Sequence, residues 1–223
     1  MAETGTTTPR ERYRAQVRAE VKERAWEQIA TAGASALSLN AIAKQMGMSG
    51  PALYRYFAGR DELITELVRD AYRSLADAFR ATSADGGGLT GLAHTLRGWA
   101  LEDPQRYFLV YGTPVPGYHA PDDVTTLASQ IMTALLDACA DLPADGPPSP
   151  LAADLEGLGG RWADRPAASS AALGRALTCW TRLHGVLSLE LAGHFTGMGF
   201  DPALLFAAEL DSLTGASTPR PAR

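Results

Sequence analysis

Apolar residues recur along this chain at helical spacing, and nowhere do they alternate as a strand's would. Between about Arg10 and Thr31, Tyr13, Val17, Val21, Ala25 and Ile29 repeat every fourth position, with Trp26 and Ala30 widening the stripe and Gly33 predicting its end. Two short helices follow, at about 39–46 and 50–57. A long one, at about 59–82, opens with Asp61 and Glu62 in its first turn, where carboxylates suit the helix dipole. Its stripe is Leu63, Ile64, Leu67, Val68, Ala71, Tyr72, Leu75 and Phe79. Helices at about 89–102 and 104–112 are divided by Asp103-Pro104, and a Pro/Gly turn at 113–117 precedes another at about 121–141. Residues 142–166, rich in Pro, Gly, Ala and Asp, predict a loop with a short helix near 150–157. Two helices close the chain. The one at about 167–195 carries Leu173, Leu177, Trp180, His184, Leu187 and Leu191 at heptad-like spacing, and the one at about 202–214 carries Ala203, Phe206, Leu210 and Leu213. The pattern predicts an all-α protein.

The segment 38–57 carries the most local information. Leu39, Ile42, Ala43 and Met46 form one apolar face, Gly47 can take the positive φ that reverses a chain, and Ser49 and Pro51 suit the start of a second helix. Leu53 and Tyr56 continue the apolar face, and the small Ala43 allows two helices to cross closely. That is a helix-turn-helix, although a plain αα-hairpin has the same pattern.

Charge sharpens the picture. The 223 residues carry a net charge of −5, unevenly distributed. Residues 1–60 hold nine Arg and Lys against five acids, a net +4, and the remainder is net −9. A basic head on an acidic body suits a protein that offers one end to phosphate. No apolar run reaches membrane-spanning length, and residues 1–24 are too polar for a signal peptide, which predicts a cytoplasmic protein without a membrane partner.

Catalytic and metal chemistry find little support. His94, His119, His184 and His194 show no metal-ligand spacing, no nucleophile elbow or phosphate loop is present, and Gly157-Leu-Gly-Gly160 follows no strand. No catalytic residue, metal or cofactor is expected. Cys139 and Cys179 lack a CxxC spacing and read as buried free thiols or, alternatively, a redox pair.

From Tyr13 to Leu67 the chain resembles the N-terminal domain of TetR/AcrR-type transcriptional regulators. The matching residues are Ala25, Ile29-Ala30, Gly33, Leu39-x-x-Ile42-Ala43, Gly47-Met48-Ser49, Leu53-Tyr54-x-Tyr56-Phe57 and Arg60-Asp61-x-Leu63. Trp180-x-x-x-His184-Gly185 and Leu189-Glu190-x-x-Gly193 resemble a subgroup with a Trp/His-Gly regulatory domain. The resemblance implies an all-helical homodimer on a palindromic DNA operator, usually released by a small effector. Residues 1–60 then form a three-helix DNA-binding domain with 1–9 disordered. Residues 61–215 form the larger, dimerising and effector-binding bundle, and 216–223 a disordered tail.

In a helix-turn-helix the second helix enters the major groove N-terminus first. Ser49, Gly50, Pro51 and Ala52 then lie nearest the bases, and the Gly-Pro pair departs from the polar residues common there in the family. Lys44 becomes the best candidate for a guanine contact, with Gln45 a second reader. Tyr54, Arg55 and Arg60 suit phosphates by resemblance, Ser38 and Asn40 can add to them, and Arg10, Arg12 and Arg14 can form an arm on the adjacent backbone or minor groove. In the bundle, Trp99, Tyr107, Phe108, Tyr111, Met132, Trp180 and His184 are candidates to line a pocket for a hydrophobic or aromatic effector, each also fit for plain core packing. Leu183, Val186, Glu190 and Gly193, with Phe206 and Leu210, are the candidate dimer seam.

Overall fold

Thr8 opens the first helix, its hydroxyl accepting the Glu11 N–H while the Glu11 carboxylate accepts the Thr8 N–H at 2.8 Å. Disorder was expected through residue 9, yet this reciprocal cap orders Thr8 and Pro9; residues 1–7 lie outside the described residues. The computed structural model describes residues 8–140, 150–156, 158 and 168–215. Among these, α1 is Pro9–Ala32, followed by a 3₁₀ turn at Ala34–Ala36, α2 Leu39–Gln45, α3 Gly50–Leu53 and α4 Arg60–Ala84. Then come α5 Gly88–Glu102, α6 Pro104–Tyr111, α7 Asp122–Ala140, α8 Pro150–Asp154, α9 Ser170–Leu191 and α10 Pro202–Thr214. No strand occurs among the described residues, so the all-α class holds. The expected tail 216–223 and most of the expected loop 142–166 lie outside them.

The chain divides into two compact units. One comprises the described part of 1–70 together with 108–121, and the other the described remainder, so α4 and α6 each have residues in both. In the first unit Val17, Val21, Ala25 and Ile29 of α1 are buried together with Leu39, Ile42 and Ala43 of α2, Leu53 of α3, and Phe57. In the second, α9 packs on α5, α7, α8 and α10, and α5 packs on α7 and α10.

Two helix ends differ from expectation for visible reasons. α3 stops at Leu53 rather than near 57, because the Arg55 and Tyr56 N–H groups bond three residues back, to Ala52 and Leu53, and tighten the last turn. α9 stops at Leu191 rather than near 195. Gly193 takes φ 76°, its N–H bonds to Glu190 and the His194 N–H to Leu189, closing the helix with a Schellman motif.

Candidate nucleic-acid interface

The helix-turn-helix is held from beneath. Gln28 of α1 accepts the Ser38 N–H at 3.0 Å, and the Ser38 hydroxyl caps α2 by accepting from Ala41. Gly47 turns the chain at φ 66°, and the Met48 N–H returns to Ala43 at 2.8 Å. Ser49, expected to cap α3, makes no side-chain cap bond; its carbonyl instead accepts from Ala52 and Leu53. With Leu53 and Phe57 fully buried, α2 and α3 turn Asn40, Lys44, Gln45, Ser49, Pro51, Tyr54 and Arg55 to solvent, with Gly50 and Ala52 half-buried beside them. A Cβ at Gly50 would sit 3.4 Å from the Asn40 Oδ1, so α2 and α3 approach closely there.

The basic residues of this unit fall into two sets. Arg18 reaches Glu62 at 3.5 Å and Glu66 at 3.4 Å, lies 4.1 Å over the Phe57 ring and donates to the Tyr56 carbonyl. Lys22 pairs with Asp70 and Arg24 with Glu27. Arg60, expected at a phosphate, is committed inward: it donates to the Ala34 and Ser35 carbonyls at 3.0 and 3.3 Å and faces Asp61 at 3.7 Å. Arg10, Arg12, Arg14, Lys44 and Arg55, all exposed, have no carboxylate partner among the described residues.

The second unit treats polar groups differently. The Tyr107 hydroxyl sits 2.9 Å from both His184 Nδ1 and Ser188 Oγ, and the Trp180 ring lies 4.0 Å from that of His184. Burial holds the His184 pKa down at about 4 and pushes the Tyr107 phenol up. Trp99 donates to Ser74 at 2.9 Å, and the Arg106 guanidinium covers its ring at 4.5 Å. Thus Trp99, Tyr107 and His184 join two hydrogen-bonded clusters, with Trp180 against the His184 ring and Met132 half-buried on α7, while Phe108 and Tyr111 belong to the other unit. An open groove of about 580 Å³ in this unit is lined by none of the seven; its walls are Ala76, Arg80 and Ser83 of α4, Gly86 and Gly88, and Gln130, Thr133, Ala134, Asp137 and Ala138 of α7.

Burial places most of the expected dimer seam inside the core of its own chain. Leu183, Val186, Phe206 and Leu210 are core residues of their own chain, Phe206 only 1% exposed, because α9 and α10 pack on α5 through that face. Glu190 is paired with Arg97 at 2.6 Å, and Gly193 lies beyond the helix end. Leu101 and Leu151 are exposed elsewhere in the unit, and near the ends of these two helices Leu189, Met198, Phe200 and Leu204 stay open, the last 69% exposed. Sequence inspection missed these four because Met198 and Phe200 fall outside any helical stripe, although Leu204 was legible as an apolar residue off its stripe. The partners Ser74 and Ser188 carried no sequence signal.

The Cys139 and Cys179 sulfurs, both buried, lie 3.9 Å apart. Donation to Cys179 and burial hold Cys139 as a thiol, and accepting that S–H pulls the Cys179 pKa down. No group of His, Cys, Asp and Glu fit to hold a metal ion occurs among the described residues. No helix among them is long and apolar enough to cross a membrane.

Comparison with known proteins adds independent findings. Residues 23–67 match the family model described as bacterial regulatory proteins, tetR family, and residues 89–213 match that of the tetracyclin repressor-like C-terminal domain. The HTH-type transcriptional regulators Rv1816 of Mycobacterium tuberculosis and Mb1846 of Mycobacterium bovis are each 36% identical, over 94% of this chain and 95% of theirs. A crystal structure of the putative regulatory protein SCO4313 is 70% identical, superposes with a TM-score of 0.85 and covers 93% of this chain and 100% of its own. A Rhodococcus protein of unknown function, at 18% identity and a TM-score of 0.66, shares the fold.

Proposed function

Because this chain belongs to the tetR family of bacterial regulatory proteins, DNA-binding transcriptional regulators rather than enzymes, we propose that it acts as a homodimeric repressor on a palindromic operator and is released by a small hydrophobic or aromatic effector. The observation that carries the reading is the outward face of α2 and α3, where Lys44 and Arg55 have no carboxylate partner among the described residues although neighbouring cations are matched. Lys44 and Gln45 read base edges. Asn40, Ser49 and the carbon surface of Gly50, Pro51 and Ala52 add close approach and thymine-methyl contact, and Ser38, Tyr54 and Arg55 hold phosphates. Such a regulator works in the cytoplasm, where its DNA is.

The dimer forms through the exposed Leu189, Met198, Phe200 and Leu204. The effector enters the groove of about 580 Å³ on α4 and α7, within the range of small-molecule sites. α4 supports this coupling, being one helix whose first residues lie in the reading unit and whose last residues wall the groove. An effector that prefers a shifted α4 changes the spacing of two recognition helices, and tight binding needs that spacing near a helical turn of DNA or a multiple.

Selection of random duplexes on the purified dimer tests the reading, with a palindromic consensus expected. Tyr54→Ala weakens all sequences alike, and Lys44→Ala also relaxes one position of the consensus. A folded dimer that enriches no sequence would overturn it.

The 3.9 Å separation of the Cys139 and Cys179 sulfurs favours a second reading, control by redox in place of a ligand. Peroxide would take two electrons and both thiol protons, leaving a disulfide and two waters. Loss of DNA binding on peroxide treatment, abolished by Cys179→Ser, would select this reading; binding indifferent to peroxide would remove it.

A further inference from the structure

The first unit contains a cleft of about 560 Å³ lined by Arg10, Tyr13 and Arg14 of α1 and by Met48, Ala52, Arg55 and Tyr56 of the helix-turn-helix, with Glu11 at its edge. The two walls are tied together where Arg14 donates to the Arg55 carbonyl at 3.4 Å and stands 6.0 Å over the Tyr56 ring. Three guanidinium groups therefore converge on one opening, and none has a carboxylate partner among the described residues. The one acid present is already engaged. The Glu11 carboxylate accepts from the Thr8 N–H at 2.8 Å and the Thr8 hydroxyl at 2.9 Å, and these bonds hold its pKa below the usual range. Tyr13, 63% exposed, offers a hydroxyl at the same opening and serves no core. The floor is apolar or aromatic (Met48, Ala52, Tyr56), which suits the deoxyribose carbons between phosphates.

We infer that this cleft seats the phosphodiester backbone of duplex DNA, with Arg10, Arg14 and Arg55 on the phosphates and Tyr13 donating to one of them. This deepens the reading under Proposed function and rests on it. The start of α1 becomes a second DNA-contacting element beside α2 and α3. It holds the duplex without reading sequence, because guanidinium groups on phosphates position and do not specify. The charge comes from side chains; at the helix start the Thr8 hydroxyl already takes the Glu11 N–H. In this helical, capped start Arg10 and Arg14, one turn apart, face the same cleft.

The test is the salt dependence of binding, read by fluorescence anisotropy. The probes are a mixed-sequence duplex spanning two half-sites and the duplex that selection favours. Each lost phosphate contact lowers the slope of log K against log salt by about 0.9, so Arg10→Ala/Arg14→Ala should lower it by about two per protomer on both duplexes. Arg10→Lys/Arg14→Lys keeps the slope, and the ranking of sequences stays unchanged in both variants. Both side chains are exposed, so helicity should match the parent protein, and the melting temperature should fall only slightly with the lost bond from Arg14 to the Arg55 carbonyl. Arg10→Ala alone gives about half the effect.

A parent-like slope in the double alanine variant, with the parent protein binding DNA normally, overturns the cleft and leaves the DNA reading standing. A changed consensus instead of a changed slope overturns it too, in favour of base contact. A parent protein that binds neither duplex removes both proposals.

Discussion

On the outward face of α2 and α3, Asn40, Lys44, Gln45 and Arg55 stand in solvent, and the two cations lack a carboxylate partner among the described residues. In the second unit, Tyr107, His184 and Ser188 turn toward one another within 2.9 Å, and Trp99 closes on Ser74. The first arrangement contributes little to folding and leaves its donors available to an outside acceptor. The second turns the Tyr107 and Trp99 donors onto acceptors of the same unit, and removing one member leaves others short of a partner. Sequence alone could not distinguish the two uses, since both are polar residues on helices. The contrast also runs along one helix: Arg18 is locked to Glu62, Glu66 and Phe57, while Arg14, one turn earlier, is not locked to any acid among the described residues.

Perturbations of the second unit should therefore be read in stability. Phe206→Ala removes a fully buried ring and should cost about 3–5 kcal/mol by denaturant titration. Acid comes next. His184 binds its proton near pH 4 when folded, because it is buried, and near 6.5 when unfolded. The unfolded chain then holds more protons between those values, so stability is fully present above about pH 6.5 and is lost as pH falls toward 4. The loss is about 3 kcal/mol from a 2.5-unit difference, and His184→Phe should flatten that stretch of a stability–pH profile. Tyr107→Phe, which deletes the hydroxyl shared by His184 and Ser188, should cost about 1–3 kcal/mol in urea midpoints.

The first unit should respond more weakly in stability and more strongly in binding. Ser38→Ala loses the α2 cap and should cost about 1 kcal/mol, seen as a lower melting temperature. Lys44→Ala should change stability by less than about 0.5 kcal/mol while altering the selected DNA consensus. If Lys44→Ala unfolded the protein, or Tyr107→Phe left stability untouched, the distinction between outward and inward polar groups would fail.

Helix existence was legible because large apolar residues repeat at 3.6-residue spacing, as along α1 and α4. The face of α9 was not. Ala172, Ala176 and Cys179 are buried on it, small residues that a stripe drawn through Leu177, Trp180 and Leu191 passes over. A helix packed on α5, α7 and α10 buries more than one narrow seam, so the large residues alone misplace the open side. The candidate DNA-facing surface was legible where a turn glycine and a cap fix orientation. Arg60 was not, because its acceptors are backbone carbonyls of Ala34 and Ser35, twenty-five or more positions earlier.

α3 is a single turn, Gly50–Leu53, whose leading positions present a hydrogen, a proline ring and a methyl group. As a base reader it has carbon to offer where other side chains would carry hydrogen-bonding heads. A mismatched base pair opposite such a tip strands no buried donor or acceptor, so its penalty falls toward the low end of the usual 1–3 kcal/mol per base pair. On the proposed reading of α3 the evolutionary consequence is tolerance: an operator drifts by single substitutions without abrupt loss of control, and new sites are recruited from near-matches.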